Sequence, residues 1–167
     1  MPTYLALAVA LLLPGSAHPT PSPTQDRHIG SWTLKITNDA FAGRRSCQLF
    51  AHRLEYGRGA LILHLPRTVD TSAAVYRIDG GEPVDTRSEQ MEIARDGFTI
   101  DEDSLANPSG GLVRIPETRV LSGHTVQIEA SAKGKIFLFR IDGLGAALDA
   151  ARQAGCPPDG FIVQNTP

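Results

Sequence analysis

No apolar run in this 167-residue chain approaches the roughly 20 residues that a membrane-spanning helix needs; the longest, Leu5 to Leu13, is closed by Pro14 and Gly15. A membrane anchor is therefore not expected. Charge of one sign is lacking too. The 16 basic and 18 acidic side chains leave a net charge of -2, so the chain as a whole shows neither the basic footprint of a nucleic-acid binder nor an acidic trap. Lysine is rare, with 3 residues against 13 arginines. Catalytic signatures are missing as well. There is no Gly-x-Ser-x-Gly elbow. Gly143-Leu144-Gly145 neither completes a nucleotide fingerprint nor sits in a parallel βαβ unit. Ser109-Gly110-Gly111 is turn chemistry. These patterns nominate no nucleophile, no phosphate site and no cofactor.

What is present begins with a leader pattern. The short apolar run followed by Gly15-Ser16-Ala17 has the layout of a secretory signal peptide, with small residues where signal peptidase cuts, so residues 1–17 are expected to be removed after Ala17. His18-Pro19-Thr20-Pro21-Ser22-Pro23-Thr24 is too rich in proline for helix or central strand, and 18–28 reads as a flexible lead-in with order beginning near Ile29. Residues 29–167 then suit a single β-rich domain, in a chain whose 41% apolar content can build a core. In an exported protein Cys47 and Cys156 most simply form one disulfide. That bridge closes a loop of about 110 residues, for which chain entropy gives about 4 to 5 kcal/mol of stabilisation.

Short apolar segments bounded by turn residues predict an antiparallel β domain. Ser31 to Thr37 alternates, with Trp32, Leu34 and Ile36 on one face. Cys47 to His52 is a second strand, and Ala60 to Leu65 a third after Gly57-Arg58-Gly59; the two are placed to form a hairpin. Ala74 to Ile78, Gln90 to Ala94, Leu112 to Ile115, Thr125 to Ala130 and Ile136 to Ile141 complete the set, with one helical turn expected within Pro116 to Leu121. The period changes at the end. Leu144, Ala147, Leu148 and Ala151 recur at helical spacing, with Asp142 as the expected N-cap and Gly155 as the stop. The fold class is thus mainly β: an antiparallel β-sandwich or half-open barrel of about eight strands with one C-terminal α-helix. An echo joins Arg77-Ile78-Asp79-Gly80 to Arg140-Ile141-Asp142-Gly143; similar strand-to-turn chemistry explains it more simply than duplication.

Few residues offer chemistry. Cleavage after Ala17 makes His18 the mature N-terminus, where amine and imidazole together can bind copper, provided the terminus is held beside a second histidine. The alternative is an incidental residue at a cleavage site. His52 and His64 lie on neighbouring expected strands and are metal candidates if those strands pair; two ligands leave the set one or two short, and partly buried, hydrogen-bonded histidines are the plainer reading. His124, after Gly123, reads as solvated. Asp96, Asp101, Glu102 and Asp103 form an acidic stretch without the spacing of an EF-hand and read as a solvated loop.

The early Trp32 strand, Val75-Tyr76-Arg77-Ile78-Asp79-Gly80, and the closing Phe137 to Leu144 with Ala146-Ala147-Leu148 and Cys156 resemble two groups of small exported proteins of Gram-negative bacteria. These are the TagO-like proteins associated with type VI secretion and the invasion-associated locus B family. The resemblance implies a periplasmic β-rich domain ending in a short helix and carries over no catalytic residue. With no catalytic constellation in view, the expected function is a noncatalytic exported accessory module that contacts another envelope protein. Two alternatives stand beside it. One is an envelope enzyme, using copper at His18 or carboxylates not singled out by pattern. The other is an inhibitor of a hydrolase whose inserting loop is Asp101 to Gly111.

Overall fold

The computed structural model describes residues 24–39, 41, 43–88, 111–130, 134–156 and 161. Within them lie ten strands in two antiparallel sheets, more than the eight expected, two helices described from end to end, and helical residues at 86–88. The larger sheet has the order β1-β2-β3-β4-β5-β8, made by β1 (Thr24–Ile29), β2 (Trp32–Asp39), β3 (Arg44–Ala51), β4 (Leu54–Gly57), β5 (Ala60–His64) and β8 (Leu112–Pro116). The smaller has the order β10-β9-β6-β7, with β6 (Val75–Ile78), β7 (Val84–Asp85), β9 (Thr125–Ala130) and β10 (Lys135–Arg140). The one-turn helix α1 (Glu117–Val120) falls where a turn was expected, and α2 (Leu144–Gln153) is the C-terminal helix.

Alternation decides which way each strand faces. Trp32, Leu34 and Ile36 are buried and their neighbours Thr33, Lys35 and Thr37 are half-exposed, the period-two pattern of a sheet with one face on a core. That core is one cluster. It joins Leu34, Leu49, Tyr56 and Leu63 of the larger sheet to Tyr76, Ile128 and Phe139 of the smaller. α2 packs against β1, β2 and β3 and buries Leu144, Ala147, Leu148 and Ala151, the four residues at helical spacing. Each of the two leucines contributes about 1.5 to 3 kcal/mol by leaving water.

The disulfide pins the end of that helix. Cys47 on β3 is bonded to Cys156 across 109 residues of sequence. α2 stops because Gly155 adopts a left-handed φ of 75°. Its amide donates to the Arg152 carbonyl and the Cys156 amide to that of Ala151, a Schellman closure that delivers the cysteine to the core side. Both sulfur-bearing residues are buried.

Three expectations change. The second and third expected strands do not pair, because β4 lies between them: β3 pairs with β4 and β4 with β5. The return is made at His52-Arg53, where Arg53 takes a φ of 57° and tightens the turn. Residues 24–28, expected in the flexible lead-in, belong instead to a strand, since 24–29 pairs along β2 from Thr24↔Thr37 to Ile29↔Trp32. β1 buries almost nothing and is held by backbone bonds, which composition does not reveal. The N-cap of α2 is Gly143, at a φ of 79°, and not Asp142. Asp142 is occupied elsewhere: its carbonyl accepts from Trp32 Nε1 at 3.0 Å, and its carboxylate lies 3.0 Å from His124 Nδ1. The expected strand Gln90 to Ala94 lies outside the described residues.

The Arg-Ile-Asp-Gly echo acquires a physical meaning. β6 and β10 both run antiparallel to β9, one on each side, so their two Asp-Gly ends meet the start of β9. Asp79 accepts from the backbone amides of His124 and Thr125 and from the Thr125 hydroxyl, while Asp142 takes the His124 ring. Those donors hold the Asp79 carboxyl below the ordinary carboxylate range, the His124 amide contributing most.

Candidate protein-binding edge

β10 alternates in a way that its sequence conceals. Ile136-Phe137-Leu138-Phe139 is an unbroken apolar run, the composition of a strand buried on both faces. In the fold β10 is the outermost strand of its sheet, bonded to β9 on one side, with no strand on the other among the described residues. Phe139 is buried and Phe137 packs on the core, whereas Ile136 is 65% and Leu138 62% exposed. An edge strand presenting unpaired backbone groups between apolar side chains is a template for another strand. The far edge of the larger sheet is built the opposite way. Gln25, Asp26, Arg27 and His28 of β1 are all exposed and polar, a composition that resists edge pairing.

A cleft of about 350 Å³ opens at the Arg140 end of this strand, lined by Leu138, Phe139 and Arg140 of β10, by Ser31, and by Ala51 to Leu54 of the β3–β4 turn. Arg53 is its organising residue. The Arg53 guanidinium lies 5.6 Å from the centroid of the Phe139 ring, and its Nε donates to the His64 carbonyl at 2.9 Å. Backbone, hydrogen bond and ring together restrict a side chain that is ordinarily mobile. His52, Arg53 and Arg140 bring basic groups to the cleft, and its described lining includes no carboxylate. Ser31 also lines it, and among the described residues no hydrogen bond joins it to His52.

Across Arg53 lies a second cleft of about 210 Å³, lined by Gln48, Phe50, Arg53, Glu55 and His64 among others. Glu55 is buried, and its Oε2 stands 3.5 Å from His64 Nε2. Its position follows from register: Phe50, Glu55, Ile62 and Arg114 lie side by side across β3, β4, β5 and β8, on the sheet face turned away from the core cluster. A buried carboxylate beside a histidine is an acid–base pair in kind.

The sequence candidates fare unevenly. His52 sits in the β3–β4 turn and lines the first cleft; His64 ends β5 and lines the second. The expected hairpin between their strands does not form; the β4–β5 pairing instead sets Arg53, the residue after His52, against His64, whose amide donates to the Arg53 carbonyl at 2.9 Å. The described residues hold no group of three or more potential metal ligands. His124 is exposed and paired with Asp142. His18, Asp96, Asp101, Glu102 and Asp103, and the loop up to Gly110, lie outside the described residues. Arg53, Glu55, Arg140, Ile136 and Leu138 were not singled out beforehand. The signal for the last two was the unbroken apolar run in a strand directly before a turn.

A third polar constellation is structural. The Tyr56 hydroxyl donates to Glu117 Oε2, Glu117 Oε1 is 3.1 Å from Arg152, and Arg152 reaches Asp149 at 2.7 Å. This chain ties β4, α1 and α2 together and lines neither cleft. No helix among the described residues is long and apolar enough to cross a membrane. Compared with known proteins, the chain matches no family model, no curated sequence and no solved structure.

Proposed function

We propose that this protein is a noncatalytic, exported binding module that engages another envelope protein through the free edge of β10. The observation that carries the reading is the pair Ile136 and Leu138, more than half exposed on a strand with one partner strand among the described residues. β-Strand addition at such an edge draws affinity from main-chain hydrogen bonds and selectivity from alternate side chains. Export is supported by the leader pattern over 1–17 and by the Cys47–Cys156 bridge, which an oxidising compartment sustains. The periplasm is the compartment that the family resemblance implies.

The test is site-specific photo-crosslinking from position 138 in the natively exported protein, with position 26 on β1 as control. A discrete protein adduct from 138, absent from 26 and lost in Ile136→Lys, is expected. Equal labelling at both positions would remove β10 from the reading.

A second reading, an envelope hydrolase, draws on Glu55 and His64 at 3.5 Å in the smaller cleft. Turnover of a polysaccharide or ester substrate that disappears in Glu55→Gln, with the melting temperature retained, would favour it over the binding module.

A further inference from the structure

Resting on the reading of β10 as a binding edge, we infer that its occupant is an extended peptide segment carrying a carboxylate at one end, seated in the cleft among His52, Arg53 and Arg140. The edge is chemically polar along its length. At the Ile136 end the neighbouring position on β9 is Glu129, which is exposed and disfavours an acidic guest there. At the Arg140 end the neighbour is Thr125, and the cleft lining adds Arg53 and His52. Among the described residues the side chains of His52 and Arg140 take part in no ion pair, so their charge capacity is not spent within the fold.

The geometry matches an extended chain better than a free anion. A guest strand beside β10 passes Ile136 and then Leu138, and Leu138 itself lines the cleft, so the apolar row and the basic cleft are continuous. Arg53 is pre-positioned by the His64 carbonyl and the Phe139 ring, which lowers the ordering cost of a carboxylate contact. A guanidinium donates two parallel hydrogen bonds to a carboxylate, and three basic groups bracket the site.

The inference is tested by selecting random twelve-residue peptides on the immobilised full chain and measuring the selected peptides by fluorescence anisotropy. Enriched sequences are expected to combine alternating apolar residues with Asp, Glu or a free C-terminus at one end. Their affinity should fall at least tenfold in Arg140→Gln, an exposed position, fall less in Arg53→Lys, and weaken with added salt. Binding should be lost in Leu138→Lys. Peptides that need Leu138 but show no acidic preference and no response to Arg140→Gln overturn the carboxylate and leave the edge reading standing. Failure to enrich any β10-dependent peptide overturns both. A dimer in solution that Leu138→Lys dissolves makes a second copy the occupant and overturns the acidic peptide.

Discussion

The Arg53 guanidinium caps the ring of Phe139 from the other sheet, 5.6 Å from its centroid, and so couples the β3–β4 turn to the exposed edge strand. The contact places a charged group at the mouth of the cleft and fixes how far the turn stands from β10. It also gives an arginine a role at a position whose backbone favours glycine.

Arg53 has a φ of 57°, a conformation that costs an ordinary L-residue about 1 to 2 kcal/mol. Arg53→Gly relieves that strain while losing the ring contact and the bond to His64, so its net effect should be small. Arg53→Ala loses the same contacts and keeps the strain. Thermal melts should place the alanine variant below the glycine variant by about 1 kcal/mol; an alanine variant equal to or more stable than glycine would show that the turn carries no strain.

Removing the bridge should be costly. Cys47 and Cys156 are buried and close a 109-residue separation. A Cys47→Ser/Cys156→Ser double variant should lose about 2 to 5 kcal/mol by denaturant titration. The unreduced protein should take up no alkylating reagent even when unfolded, and uptake of two labels would show free thiols.

Leu148 is buried under α2, whereas the Arg152 side chain is 55% exposed in its ion pairs. Leu148→Asp should therefore destabilise by about 3 kcal/mol or more, by charge burial and lost packing, and Arg152→Ala by no more than about 1 kcal/mol. Equal melting temperatures for the two would count against the packing of this helix.

Acid should erode stability partly through Asp79. Its carboxyl is held below the ordinary value of 3.8 chiefly by the His124 amide, so the native state favours the charged form. The associated stability is present above the ordinary value and is lost as pH falls from there toward the lowered native one. Asp79→Asn keeps a residue that tolerates its φ of 49° and should flatten the acid limb of the melting temperature. An unchanged limb would assign acid sensitivity to the other lowered carboxyls, Asp70 and Asp85.

Alkali should act through Tyr56. Burial first, and then the Glu117 acceptor and its charge, push the phenol above its ordinary value of 10.0. A raised native value means stability fully present below 10.0 and lost as pH rises beyond it. Tyr56→Phe should cost about 1 kcal/mol at neutral pH and reduce the alkaline loss; a variant with the alkaline limb of the parent would remove Tyr56 as its source.

Strands with one wet face were legible, and so was β5, buried almost throughout, from its unbroken apolar run; β4 and β1 were not. β2 announced itself because Trp32, Leu34 and Ile36 alternate with polar residues. β4 did not: all four of its residues are buried, so Leu54-Glu55-Tyr56-Gly57 has no alternation, and its glutamate resembles loop composition. β1 is exposed nearly throughout and left no apolar trace. Missing β4 carried forward into the site, because the β3–β5 hairpin expected to pair His52 with His64 is replaced by β3–β4 and β4–β5 pairs, which set Arg53 opposite His64.

By itself the sequence determined the antiparallel β class, the apolar face of α2 and the partner of each cysteine. Period-two and helical spacings are local, and two cysteines allow one intramolecular pairing. Only the tertiary structure decided that β10 is an edge among the described strands, that Arg53 reaches the Phe139 ring, and that Glu55 is buried beside His64. The physical reason is that edge and centre differ in the neighbour a strand lacks, and a neighbour is set by strand order, which no local spacing encodes.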